Sequence, residues 1–209
     1  MLSKIHYISH GNTVEEQKQN CRDALEAGCK MIQLRFKNGS ESEILELAKQ
    51  LRTWCTDANA CLIINDSIGI AKEIGADGVH LGLTDDSIAE ARRILGPDKI
   101  IGGTANTLED VLQRMEEQCD YVGLGPYRFT TTKEKLSPIL GLEGYKRILS
   151  ELTNRQLSIP IYAIGGIVKE DVVLLTEAGI YGIAVSGMIS NATDRAALIN
   201  ELEKTMNYA

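Results

Sequence analysis

The sequence has no apolar run approaching the ~20 residues of a membrane-spanning helix, so a transmembrane segment is not expected. It has no excess of positive charge either. Twenty-two Lys and Arg stand against 29 Asp and Glu, leaving a net charge of −7. That balance argues against a nucleic-acid surface, and it means that any anionic ligand is held by a local site and not by the overall field. The five cysteines (Cys21, Cys29, Cys55, Cys61, Cys119) include no C-x-x-C pair. An odd, scattered set fits reduced, mostly buried thiols better than a disulfide framework or a zinc site. The first residues, Met-Leu-Ser-Lys-Ile-His-Tyr, lack the apolar segment of a secretory leader. There is also no linker, low-complexity stretch or shift in composition. One domain over residues 1–209 is expected, in a cytoplasmic enzyme or ligand-binding protein.

What is present is a repeating alternation. Short β-rich apolar runs are expected as strands at 4–10, 30–36, 61–65, 78–82, 99–103, 121–125, 159–164 and 182–185. Helical patterns lie between and after them, clearest over 40–57, where Ile44, Leu47, Ala48, Leu51, Trp54 and Cys55 recur at three and four. Thr13 with Glu16 predicts a capping box for the first helix, and Gly28 its C-terminal stop. A single last helix is expected over about 194–206. The strands are nearly continuous apolar runs, as in parallel sheets covered on both faces. Eight strand–helix units of roughly 25 residues predict an α/β fold closed as a (β/α)₈ TIM barrel. A doubly wound open sheet is the alternative, but it carries its glycine turn early, whereas the glycine pairs here come late.

Chemistry in such barrels sits at the C-terminal ends of the strands. Those positions hold Gln33, Arg35 and Lys37, then Asn65 and Asp66, then His80 and Asp85, then Thr104. Gly165-Gly166 and Ser186-Gly187 follow the last two strands, where backbone N–H groups commonly bind phosphate. The plainer reading is that these glycines only end strands. Gln33-x-Arg35-x-Lys37 shares one face of an extended segment, suited to clamping a diphosphate at the mouth. Asp66 and Asp85 suit one hard cation such as Mg²⁺, or equally the capping of the helices that follow. His80, alone between Val79 and Leu81, reads first as a satisfied core residue. The stretch after Tyr121-Val-Gly-Leu-Gly125 breaks at Pro126. It then runs through three hydroxyls and a lysine, Thr130, Thr131, Thr132 and Lys133, without helical or strand period. It is a long loop with the chemistry to hold an anion.

As a set, Gln33-Leu-Arg-Phe-Lys37, Ile64-Asn-Asp66, Gly75-Ala-Asp-Gly-Val-His-Leu-Gly82, Asp85, Asp120-Tyr-Val-Gly-Leu-Gly-Pro126, the Thr130 to Lys133 run and Ala163-Ile-Gly-Gly-Ile167 resemble the thiamin-phosphate synthase (thiamin-phosphate pyrophosphorylase) family. The resemblance implies an enzyme that joins a hydroxymethylpyrimidine diphosphate to a thiazole phosphate and releases pyrophosphate. It implies that Gln33, Leu34, Arg35, Phe36, Lys37 and Asn65 hold the pyrimidine diphosphate, with Thr104 and Lys133 also touching it. It implies Asp66 and Asp85 as Mg²⁺ ligands, and Thr130, Thr131, Thr132, Gly166, Ser186 and Gly187 at the thiazole phosphate. Arg35, Lys37 and Lys133 would neutralise the departing diphosphate. No protein nucleophile is evident.

Three departures from the family pattern stand out: Leu83 where glutamine is common, Thr104 where serine is usual, and Ser186-Gly187 in place of an apolar residue and a serine. The competing readings are a thiazole tautomerase-like barrel, another phosphate-binding barrel isomerase, and a non-catalytic barrel. The expected partners are the two small substrates, with no nucleic acid and no membrane; a homo-oligomer is left open. The loop from 126 to 138 is expected to be a lid that orders on binding.

Overall fold

The computed structural model describes residues 2–129 and 138–207. Eight strands, β1 (Ile5–Ile8), β2 (Met31–Leu34), β3 (Cys61–Asn65), β4 (Gly78–Leu81), β5 (Ile100–Ala105), β6 (Tyr121–Leu124), β7 (Ile161–Ile164) and β8 (Gly182–Val185), pair in sequence order. Every pairing is parallel, and β1 with β8 closes the barrel. Helices α1 (Val14–Glu26), α2 (Glu41–Asp57), α3 (Ile68–Glu73), α4 (Ile88–Leu95), α5 (Leu108–Glu116), α6 (Gly141–Asn154), α7 (Asp171–Glu177), α8 (Gly187–Ser190) and α9 (Arg195–Asn207) complete the described chain.

The two faces of each strand do different work, because successive side chains point to opposite sides. One set, including Tyr7, Ile32, Leu62, Ile64 and Val79, packs outward against the helices. The other, Ile8, Met31, Ile63, Tyr121, Tyr162 and Ala184, fills the barrel interior. Both faces are dry, and each fully buried aliphatic side chain contributes roughly 1.5–3 kcal/mol, so the runs read as unbroken apolar segments.

Local signals set most helix starts. Ser40 and Thr107 form full capping boxes with Glu43 and Asp110. At α1 the expected box is altered. Thr13 Oγ1 does accept from Glu16 N–H, but the Glu16 carboxylate reaches one residue further back, to Asn12 N–H at 2.6 Å. Two other expectations shift. β2 stops at Leu34, and β5 runs on to Ala105 because Thr104 still pairs with Gly123. The single last helix is preceded by a one-turn helix, α8, held by Tyr7 Oη against Ser190 Oγ (2.7 Å) and by Arg195 donating to Ser190 O (2.8 Å). Those ties come from β1 and α9, so no local pattern announced them.

Candidate active site

The C-terminal ends of β2, β3 and β4 bring one set of predicted residues together. Gln33, 3% exposed, points inward and donates from Nε2 to Asn65 Oδ1 at 2.6 Å. Arg35 and Lys37 lie past the end of β2, so they do not share a strand face with Gln33. They converge on the same neighbours by another route. Lys37 Nζ donates to Asp66 Oδ2, and Arg35 sits close enough to Asp66 to feel its charge. Burial pushes the Arg35 guanidinium below its ordinary range, and Asp66 opposes that shift. The backbone of Arg35 is fixed by Ser9 Oγ, which accepts its N–H at 2.8 Å. Leu34 and Phe36 turn the other way, buried in the barrel–helix layer, which leaves only their backbones facing a ligand.

Neither aspartate caps a helix. Ser67 caps α3 and Ser87 caps α4, so both carboxylates are released for other work. Asp66 holds a left-handed backbone, φ +63°, which is uncommon for a residue with a side chain. Asp85 Oδ2 accepts Gly82 N–H at 2.6 Å. Burial pushes the Asp66 carboxyl up; Lys37 pulls it down, and the Asp85 carboxyl, within hydrogen-bonding reach, raises it again. Two like charges held this close, with an ammonium already seated on one, make a place that favours a cation.

Beneath them, His80 is satisfied on both sides, as the plainer reading held. Its Nδ1 lies 3.0 Å from Tyr121 Oη and its Nε2 3.0 Å from Thr104 Oγ1. Thr104 therefore lies within β5, pointing into the barrel with its hydroxyl oriented by His80.

Across the mouth, Gly165 and Gly166 have φ +95° and +66°, a turn that glycine adopts without strain. Arg128 N–H donates to Gly165 O (3.0 Å) and its Nη1 to Gly166 O (2.6 Å). In a trans peptide the N–H points opposite the carbonyl, so the N–H groups of Gly166 and Ile167 face away from Arg128. Arg128 also makes a two-point pair with Asp171, 2.7 and 2.9 Å, tying the sixth βα loop to the seventh. Although burial works against it, that pair holds the Asp171 carboxyl below its ordinary range. Nothing in the sequence pointed to this pair, since its members are 43 residues apart and each looks like a surface charge. Ser186 Oγ is buried and has no partner among the described residues, while Gly187 opens α8. Thr130, Thr131, Thr132 and Lys133, and the lid expected around them, lie outside the described residues. The flanks of that stretch meet, with Leu140 N–H on Pro126 O and Gly141 N–H on Tyr127 O.

The cysteines offer no competing chemistry. All five are free, and burial pushes the Cys29, Cys55, Cys61 and Cys119 thiols up to about 12.

A closed parallel barrel with its polar residues gathered at the C-terminal mouth belongs to the (β/α)₈ enzymes. The family model described as thiamine monophosphate synthase matches residues 5–189. The thiamine-phosphate synthase of Flavobacterium psychrophilum is 54% identical over 206 residues, covering 99% of this chain and 100% of its own length. Among solved structures, thiamine phosphate pyrophosphorylase from Pyrococcus furiosus superposes with a TM-score of 0.83 at 32% identity, covering 98% of this chain and 96% of that one. A 3-hexulose-6-phosphate synthase shares the fold alone, at 18% identity, TM-score 0.69 and coverage of 98% and 100%. The chain belongs to the thiamine monophosphate synthase family.

Proposed function

We propose that this chain is a thiamin-phosphate synthase. It joins 4-amino-2-methyl-5-(diphosphooxymethyl)pyrimidine to 4-methyl-5-(2-phosphooxyethyl)thiazole, forming thiamin phosphate and releasing pyrophosphate. The observation that carries the reading is the grouping of polar residues on two sides of one mouth, each suited to an anionic group. Arg35, Lys37, Asp66 and Asp85 form one half; the Gly165-Gly166 turn with Ser186 forms the other.

In this reading Gln33, Asn65 and Thr104 hold the pyrimidine diphosphate, with Arg35 and Lys37 along its phosphates. The Asp66 and Asp85 pair supports Mg²⁺ as the resident cation, because Mg²⁺ is usually held by one or two carboxylates with substrate phosphates completing the shell. When bound there, Mg²⁺ would stabilise negative charge on the diphosphate. Lys37, which donates to Asp66 Oδ2, would lie beside that diphosphate. Cleavage of the C–O bond to diphosphate leaves an electron-rich aminopyrimidine able to carry the positive charge, so no protein nucleophile is needed. The high thiol pKa values agree with that. Arg35, Lys37 and Lys133 neutralise the leaving group. The N–H groups of Gly166 and Ile167, with Ser186, Gly187 and the Thr130, Thr131 and Thr132 hydroxyls, hold the thiazole phosphate so that its ring nitrogen attacks. Most of the rate then comes from holding two substrates in line.

A cytoplasmic location belongs to the same proposal, supported by five cysteines that are all unpaired. Among the described residues no helix is long and apolar enough to cross a membrane. Purified protein given both substrates and Mg²⁺ is expected to release pyrophosphate and form thiamin phosphate. No product at saturating substrate overturns the reading.

A further inference from the structure

We infer that Arg114 is a positioning residue for the diphosphate half of the mouth. It lies on α5 and is 4% exposed, a charge on the inward face of an otherwise apolar stripe. Its guanidinium spans the ends of two neighbouring strands. Nε donates to Thr104 O at 3.1 Å, Nη2 to Gly82 O at 3.0 Å, and Nη1 to Glu117 Oε2 at 2.6 Å.

Where parallel strands part into loops, their last carbonyls lose ladder partners, and a buried carbonyl needs another donor. One rigid fork supplies two of them here. Both are carbonyls of residues that set the site. Gly82 has its carbonyl on Arg114 and its N–H on Asp85, so the guanidinium holds the peptide just after the one on which that carboxylate rests, and Gly82 is fixed from both sides. Thr104 has its carbonyl on Arg114 and its hydroxyl on His80, so backbone and side chain are held from opposite sides of the barrel wall. The path of the arginine is itself built in. A Cβ at Gly103 would stand 2.6 Å from Arg114 Cδ and 2.8 Å from Nε, so a side chain at 103 and the arginine stem exclude each other.

This inference rests on reading Asp85 and Thr104 as diphosphate-side residues, and its test separates the two claims. The full chain is prepared as wild type, Arg114→Ala, Arg114→Lys and Arg114→Met, whose unbranched stem fills the same space without the donors. Thermal midpoint, kcat, the KM of each substrate, and calorimetric binding of inorganic pyrophosphate with Mg²⁺ are measured. Loss of two charge-assisted bonds in Arg114→Ala is expected to weaken Mg²⁺–pyrophosphate binding and raise the KM for the pyrimidine diphosphate by about ten-fold. The KM for the thiazole phosphate should stay within about two-fold. Arg114→Lys, a point charge without the fork, should recover only part of the binding. Arg114→Met should regain thermal midpoint relative to Arg114→Ala without regaining binding. Equal changes in both KM values, or binding that returns together with stability in Arg114→Met, would reduce Arg114 to a packing residue. If wild type binds Mg²⁺–pyrophosphate but makes no product, the proposed reaction fails, while the binding difference still decides the role of Arg114. Wild type that does not bind pyrophosphate overturns the inference as well.

Discussion

His6 should make this barrel acid-sensitive. It sits on β1, 1% exposed, with the rings of Tyr121 and Tyr162 edge-on at 5.6 Å each. Neither of its ring nitrogens has a hydrogen-bond partner among the described residues. Burial, and then the neighbouring His80, push its pKa from 6.5 down to about 3. A charged imidazole would have nothing there to replace water, so the native chain keeps it neutral. The unfolded chain does not. Between those two values the unfolded state binds the extra proton, so stability falls as pH falls below 6.5 and stops falling near 3. At about pH 5, roughly one and a half pH units below the unfolded value, one extra proton bound by the unfolded chain at ~1.4 kcal/mol per pH unit amounts to a loss of about 2 kcal/mol. For a domain of this size that lowers the thermal midpoint by about 4–8 °C. The assay is thermal unfolding at about pH 7.5 and pH 5 for wild type and His6→Leu, which keeps an apolar side chain and removes the titration. Both proteins share every other titrating group, so the difference between their two shifts isolates His6. Equal acid shifts in the two would refute the argument, whatever the variant's absolute stability.

Three further outcomes test the site. Asp66→Asn should abolish Mg²⁺-dependent turnover. In wild type the Mg²⁺ needed for half-maximal rate should rise on acidification at a pH above the ordinary carboxylate range, because protons compete for a carboxyl whose pKa is raised; an unchanged metal requirement in the variant would reject it as a ligand. Lys133→Ala should slow turnover by ~100-fold or more if it neutralises the leaving diphosphate; near-wild-type steady-state rates would leave it a solvated lysine. Gly166→Val forces a branched side chain into φ +66° with its Cβ 2.9 Å from Phe129 O, and should raise the KM for the thiazole phosphate well before that for the pyrimidine diphosphate. Equal kinetic effects on both would show that the turn serves the fold and not one substrate.

The barrel was legible because its cause is local. Strands covered on both faces must be apolar on both faces, and helices must repeat at three and four, so Met31–Leu34 or Glu41–Asp57 announce themselves without reference to the rest of the chain. The glycine turn at 165–166 was legible for a similar reason, since a pair of glycines after a strand signals a backbone that other residues resist. The aspartates were found but not resolved. From sequence, Asp66 and Asp85 served equally well as helix caps, and only the structure gave that work to Ser67 and Ser87.

The limits show most plainly where charge meets the core. Period two placed Arg35 and Lys37 on a strand face, but β2 ends before them, and they reach Asp66 through a turn. Arg114 looked like one more helix charge, and Arg128 and Asp171 like two surface residues, until folding set each against groups from distant parts of the chain. The sequence by itself determined which segments become strands and helices, and which residues fall at their C-terminal ends, because propensity and burial act over a few neighbours. Tertiary structure alone decided which of those residues meet, which carbonyls a buried arginine satisfies, and which histidine loses its proton. Those outcomes depend on distances between segments far apart in the chain, and closure of the barrel sets them.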